Sequence, residues 1–530
     1  MKRRFQELTM TAVERDAFLD RVRLAVNPED CRMIEGMTAA LPEIITWIEQ
    51  DPMTLRKLRH LIFGPKTEKI GKVFPPAPVP PPPKDPKAKR KGHGRNKTSK
   101  YTGARRVIVT HPTLKAHDPC PDCLQGIVCP LKSPGLIIRI VGSPPISATV
   151  WELAKLRCNT CLRVFTAPPP PEAGQEKYAP SVGVTLALLR YGSGMPHYRL
   201  ARLQESLGVP CPESTQWEAM KPLFEQAQPI LDHLITQAAN GPLFHNDDTK
   251  MRILDLRKPG SATAAKIDPK RKGTFTSSIL GQVGPYTVAL YFSGWQHAGE
   301  NLEAVLKNRS ADLEAPMQMC DALSSNTSPE FESIVCHCLS HARREFVPIA
   351  KDFPQECRHV LLSLGKIYHT DAQAKELKLT ANQRLLSHQT HSRPVLDELK
   401  TWMQDQLDGR KVEPNSGLGG AMGYMLKHWE PLTLFLKKEG APLDNNICER
   451  ALKMAILHRK NSLSYKTDRG AKTGDLFMSL IQTCRLNQIN PSEYFLAITT
   501  HSEAVKIDPS SWLPWNYPKL SDAEIAAARS

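Results

Sequence analysis

Three acids stand where they could share a cation. "LFHNDDTKMRIL" carries Asp247 and Asp248 at the close of a short apolar run. "MQMCDAL" carries Asp321 at the close of another, and "LDNNICERALKMAILHRKN" carries Glu449 one turn into a helix. Hard divalent cations take oxygen ligands, and two Mg²⁺ (or Mn²⁺) ions held by convergent carboxylates cut phosphodiesters. One ion activates a water or a 3′-hydroxyl, and the other stabilises the leaving oxygen. Any one such acid more often simply faces solvent, so residue type alone leaves the bland reading open. Helix geometry sorts the last segment. At about 100° per residue, Asp444 lies roughly 140° from Glu449, which suits a helix cap and not a second ligand. Asn445, Asn446 and Lys453 share the Glu449 face at i−4, i−3 and i+4, within reach of its carboxylate or of substrate.

A second constellation is made of thiols. Of 13 cysteines most are scattered singly, but "CPDC" pairs Cys120 with Cys123 and "CNTC" pairs Cys158 with Cys161. Two C-x₂-C knuckles are the usual source of four thiolates for one tetrahedral structural Zn²⁺. Cys129 is a spare thiol that could replace a ligand, and buried unliganded cysteines are the plain alternative. An odd cysteine count without a disulfide framework fits a reducing cytosol.

These groups need rigid elements to aim them. "GPLFHNDD", "KMRILDL", "YTVALYFS" and "APMQMCDA" read as strands and "AGENLEAVLKN" as a helix, an α/β or α+β alternation. Residues 176–240 and 341–438 read as helices, the second group inserted between the last strand and the Glu449 helix. The expected divisions are a helical N-terminal region (1–74), with Leu55, Leu58, Leu61 and Ile62 on one stripe, and a proline-rich, basic linker (75–106). A zinc-binding domain (107–167), a helical DNA-binding or connector region (168–240), the catalytic core (241–475) and a C-terminal helical tail (476–530) follow.

The whole chain has 530 residues, 70 Lys and Arg against 54 Asp and Glu, and a formal charge of +16. That balance favours a polyanionic partner, nucleic acid above all. "MKRRFQELTMTAVERD" lacks the apolar core of a signal peptide, and no apolar stretch is long enough to span a bilayer, so a cytoplasmic protein without a membrane partner is expected. "GLGGAMG" lacks the Lys-Ser/Thr of a phosphate-binding loop and reads as a turn. Ser293 and His297 have no recognisable acid partner or nucleophile elbow, which argues against a hydrolase triad.

The order of these motifs resembles that of the bacterial insertion sequence 66 transposases over nearly the whole chain. "LRKLRHLIFGPKTEK" is similar to the family's leucine-patterned N-terminal helix, and "CPDC…CNTC" to its zinc-binding domain. "NDDT" resembles its Asp-Glu-Thr signature, with Asp247 as first catalytic acid and Asp248 in the Glu position. "MQMCDA" supplies the second acid, Asp321, and "CLSHARREF" resembles its Cys-x-x-His-Ala-Arg-Arg block at Cys338, His341, Arg343 and Arg344. "LDNNICERALKMAILHRKNSLSYKTDRGAKTGDLF" is the most specific match and assigns Glu449 as third acid.

The resemblance implies a multidomain α/β protein whose RNase H-like core has a helical insertion. It implies a DDE transposase with two Mg²⁺ per site, acting in the bacterial cytoplasm on the terminal inverted repeats of its element and on target DNA. Arg459 and Lys460 would meet phosphates, although a basic last helical turn also serves the helix dipole. Pairing two DNA ends implies a homodimer or larger synaptic complex, and small accessory proteins accompany many such transposases. Two departures stand in the catalytic segments: Asp248 replaces Glu, and Ala322-Leu323 replaces the Gly-Tyr that normally follows the second acid. They keep open two rivals, an inactive or repurposed DNA-binding protein and a nuclease that cuts without joining.

Overall fold

The structure is a computed structural model. It describes residues 20–22, 73–74, 108–257 (apart from 124, 130, 132–135, 141–142, 160, 162 and 175), 271, 273–519 and 521. The leucine-striped N-terminal helix and the proline-rich basic linker lie outside the described residues.

In chain order, a hairpin of β1 (Lys155–Arg157) and β2 (Val164–Thr166) precedes α1 (Pro180–Ala187), α2 (His197–Ser206) and the long α3 (Glu213–Ala239). Then come β3 (Leu243–Lys250), β4 (Phe275–Val283), β5 (Tyr286–Gly294), α4 (Ala298–Leu306), β6 (Met317–Cys320) and β7 (Ile334–His337). Helices α5 (Leu339–Phe346), α6 (Pro354–Glu376), α7 (Ala381–His391), α8 (Arg393–Asp408), α9 (Gly417–Lys427) and α10 (Trp429–Leu432) follow. The chain continues through α11 (Asn446–Ser462), α12 (Asp468–Leu486), α13 (Pro491–Thr500) and α14 (Ser502–Ile507).

The chain divides into two compact units. One contains residues 77–316, 324–333 and 447–530, and its sheet is the antiparallel trio β3, β4 and β5. Strand β5, "YTVALYFSG", is a nearly continuous apolar run because both of its faces are covered. A two-residue turn joins it to β4, with Gly284 taking the positive φ of 55° that such a turn demands.

Helix α12 closes the outer edge of β5 in place of another strand. The backbone N–H groups of Thr287, Ala289, Tyr291 and Ser293 donate to Asn487 Oδ1 (3.0 Å), Thr483 Oγ1 (3.0 Å), Ser479 Oγ (2.9 Å) and Asp475 Oδ2 (2.7 Å). The match is one of pitch. Four helical residues rise about 6 Å and two strand residues about 6.7 Å, so a polar stripe at i, i+4 keeps step with every second strand residue. An edge that would otherwise recruit foreign strands is thereby sealed.

Burial pushes the carboxyl of Asp475 up to about 6, against the pull of the Lys472 charge and the Ser293 hydrogen bonds. The folded chain therefore holds this proton more tightly than the unfolded chain does. The contribution of Asp475 to stability is largest below about pH 4, falls as pH rises to about 6, and is level above. Urea denaturation from pH 4 to 7 is expected to show wild type losing stability relative to Asp475→Asn across that window; parallel curves would contradict it.

The other unit contains residues 317–323 and 334–446, with the parallel pair β6 and β7 followed by helices α5 to α10. Its helices are tied at Asp371, which binds Lys375 (2.6 Å), Arg384 (2.8 Å) and His388 (3.4 Å). Burial works against that carboxylate's charge, yet these partners hold its pKa well below the usual range.

Four local expectations are corrected. "GLGGAMG" is the start of helix α9, capped by the Ser416 hydroxyl, which accepts from Gly419 N–H at 3.0 Å. "KMRILDL" is not a strand: β3 ends at Lys250, Ile253 makes one parallel bridge to Tyr465, and Asp255–Arg257 is a 3₁₀ turn. Met251 and Ile253 alternate as in a strand because both are buried, not because they extend the sheet. Strand β4 has the buried Thr276, Ser277 and Ser278, whose polarity hides it from a hydrophobic pattern. Asp247 and Asp248 lie within β3, not at its end.

Candidate active site

Adjacent residues of a strand face opposite sides, so Asp247 and Asp248 cannot share one task. Asp248 Oδ2 pairs with His297 Nδ1 at 2.7 Å, and the His297 ring packs on Phe275 with centroids 4.1 Å apart. His297 caps α4, where its N–H donates to Glu300 (2.8 Å), and Glu300 in turn binds Arg271. Asp248 thus anchors the start of α4 to β3. Replacing His297 by Ala is expected to cost on the order of 1–2 kcal/mol, read by denaturant unfolding, with His297→Asn losing less. The earlier expectation for His297 and Ser293 also needs correction, because each has an acid partner. They belong to separate networks: Ser293 Oγ donates to Asp475 Oδ1 at 2.6 Å.

Asp247 is oriented by its neighbour's backbone, with Oδ1 accepting from Asp248 N–H at 2.8 Å. Across the ladder it pairs with Ser278, and the Ser278 carbonyl accepts from the Cys448 thiol at 3.4 Å. Cys448 is fully buried in the first turn of α11, next to Glu449. Burial pushes its thiol far above the usual range, and the charges of Asp247 and Glu449 push it further. The thiol therefore keeps its proton, with the charges of both acids acting on it. Two further contacts hold α11 on the sheet. Tyr291 Oη donates to Ala451 O at 2.7 Å, and Arg459 Nη1 donates to Thr249 Oγ1 at 2.8 Å and to Lys250 O at 2.6 Å. Arg459, read from sequence as a phosphate ligand, is thus engaged in clamping α11 to β3. Lys453 and Lys460 are exposed.

Asp321 belongs to the other unit and directly follows β6, with Oδ1 accepting from Leu323 N–H at 3.2 Å. Burial lowers His337 to about 4, helped by the His428 charge and opposed by that of Asp321. Burial likewise raises Tyr424 to about 12, with Asp321 adding to the rise. Leu323, in the position of the family's tyrosine, is 61% exposed.

In that unit Cys338 is buried at the start of α5. Its N–H donates to Cys320 O (3.0 Å), and its sulfur accepts from Asn445 N–H (3.2 Å). The sulfur lies within 4.8 Å of a ring nitrogen of His341, whose Nε2 is 3.3 Å from Arg344 Nη1. Arg343 is half-buried on the same helix. Asp444 lies one residue before the cap position of α11 and braces the turn into it, with Oδ1 accepting from Asn446 N–H at 3.1 Å. The Asn446 side chain donates to Asp444 Oδ2 (2.7 Å) and Ser340 Oγ (3.4 Å).

Each cysteine knuckle forms separately. Cys161 N–H points to Cys158 Sγ at 3.5 Å, a geometry suited to a thiolate. Backbone N–H groups of Gln125 and Gly126 and the Cys120 thiol lower the pKa of Cys123. Among the described residues, three or more of these thiols are not gathered within 4.8 Å of one another. Also among the described residues, no helix is long and apolar enough to cross a membrane.

Three proteins of Sinorhizobium fredii, each named only as uncharacterized, are similar to this chain. Protein y4hP is 24% identical over 391 residues, 71% of this chain and 69% of its own length. Protein y4jD is 24% identical over 387 residues, covering 68% and 70%. Protein y4qI is 23% identical over 345 residues, covering 63% and 61%. A family model described as Transposase IS66 family matches residues 176–473, more than half of the chain and a span that includes all three acids. The chain belongs to the IS66 transposase family.

Proposed function

We propose that this chain is an active DDE transposase that cuts the ends of its element and joins them to target DNA, with Asp247, Asp321 and Glu449 as the metal-binding acids. The observation that carries the reading is the family match across 176–473, a span that contains all three acids. The donor set suits a hard cation. It is made of carboxylates, the oxygen ligands that Mg²⁺ and Mn²⁺ prefer. Two Mg²⁺ or Mn²⁺ ions, when bound, would activate the attacking oxygen and neutralise the leaving one.

The chain's own residues supply position. Asp248 N–H orients Asp247, Arg459 and Tyr291 fix α11, and Lys453 and Lys460 offer charge to the DNA backbone. The order of three antiparallel strands, a helix and then a parallel pair supports an RNase H-like core. Because Asp248 serves α4 from the opposite face of β3, its replacement of Glu is compatible with activity. Pairing two ends calls for at least two copies, and the work takes place on DNA in the bacterial cytoplasm.

The direct test incubates the protein with duplexes carrying the element's terminal repeats, target DNA and Mg²⁺ or Mn²⁺. Joined products are expected; cleavage without joining would favour a nuclease, and neither product would favour a DNA-binding remnant. We propose also that Cys120, Cys123, Cys158 and Cys161 hold one structural Zn²⁺. Elemental analysis is expected to find about one zinc per chain, lost in Cys158→Ser; zinc-free wild type with unchanged folding would reject the site.

A further inference from the structure

We infer that helix α2 is a second DNA contact, in which Arg199 and Arg202 grip backbone phosphates of the element end. This rests on the transposase reading above and extends it to residues outside the carboxylate site.

Helix α2 buries Leu200 and Gln204 and turns Tyr198, Arg199 and Arg202 to solvent. Tyr198 is 46% exposed, and Arg199 Nε donates to its Oη at 2.9 Å, with the guanidinium 5.7 Å from the ring centroid. An arginine held in this way loses less freedom when it meets a phosphate. Glu205 is the one acid on the helix, and His197, half-buried against Gln216, is lowered to about 4 by burial and by Arg190. The exposed charge of α2 is therefore positive at neutral pH.

What distinguishes α2 from an ordinary solvated helix is what its two ends are fastened to. At its start, Gly194 has a φ of 70°, and a Cβ there would lie 2.9 Å from Leu457 of α11. Asn461 of α11 donates to Gly194 O at 3.0 Å, and Arg190 donates to Ser462 at 2.6 Å. Along α11 the exposed Lys453 and Lys460 lie within about 40° of Glu449, one stripe roughly 16 Å long. Near its other end, Gln204 Nε2 donates to Ile146 O at 2.9 Å. Ile146 lies between the two cysteine knuckles and is buried in the same core. Helix α2 is thus pinned between the helix of Glu449 and the cysteine module, and it adds two exposed arginines about one turn, or about 5 Å, apart along its axis. A duplex with its scissile phosphate near Asp247 and Glu449 and its flank toward the cysteine module would meet α2 on the way.

The test uses the full chain and fluorescence anisotropy, with one duplex carrying the terminal repeat and one of unrelated sequence, between 50 and 200 mM KCl. Arg199→Ala/Arg202→Ala is expected to bind the terminal repeat about tenfold or more weakly. Its slope of log K against log salt should be shallower by about 2, because two phosphate contacts are lost. Arg199→Lys/Arg202→Lys should recover most of that slope, and Glu205→Gln should bind at least as well as wild type. A double-alanine variant with wild-type affinity and slope overturns this inference and leaves the transposase reading standing. Affinity lost with the slope unchanged also overturns it, since the arginines would then not be on phosphates. Wild type that binds neither duplex overturns the transposase reading itself, and the role of α2 with it.

Discussion

Glu449→Gln is expected to abolish metal-dependent cleavage and joining while the protein still folds and binds the ends of its element. The amide keeps the size of the side chain but removes the charge that a divalent cation requires. In two-metal phosphoryl transfer the acids hold the ions that carry most of the charge stabilisation, so a loss of about 10³-fold or more in rate is the proper expectation. Asp247→Asn and Asp321→Asn should behave alike, and on the proposed shared metal site combining any two should add little. Gel assays of cleaved and joined products with Mg²⁺ or Mn²⁺ read the result. Activity of Glu449→Gln within tenfold of wild type would remove Glu449 from the site. Gln is the better replacement than Ala here, since Cys448 beside it is packed under the sheet and a shortened neighbour invites repacking.

The second large effect concerns the fold. Ser479→Ala/Thr483→Val leaves the N–H groups of Tyr291 and Ala289 without their acceptors on α12. Both lie in buried strand and cannot turn to water, so each orphaned donor costs about 1–3 kcal/mol. Their sum is a large part of the 5–15 kcal/mol that typically holds a domain together. The midpoint of chemical unfolding should fall sharply, with aggregation on warming as the edge of β5 becomes available. Ser479→Thr, which keeps a hydroxyl, should fare better than Ser479→Ala. Equal midpoints for wild type and the double variant would mean that α12 covers β5 by apolar packing alone.

Much of the chemistry was legible before any fold was known, because ligand preference follows from residue type. Oxygen-bearing acids, paired thiols and a basic balance each restrict their partners, and the IS66 motifs lie in unbroken local stretches. Strands β5 and β6 were legible as short apolar runs and α4 as a helical stretch for the same reason. The failures were also local in origin. A run of Thr and Ser concealed β4, whose polar side chains are buried between neighbouring elements. Four glycines made the start of α9 look like a turn, although a serine cap and tertiary packing hold it helical.

From the sequence alone came the kind of atoms that could bind metal and the family to which they belong. The fold decided how those atoms are used. It turned Asp248 to His297, and it spent the guanidinium of Arg459 on β3 and the polar stripe of α12 on β5. The physical reason is separation along the chain. Each of these partnerships joins residues tens to hundreds of positions apart, and a side chain's chemistry restricts what it can bind without saying which distant group the folded chain will bring to it.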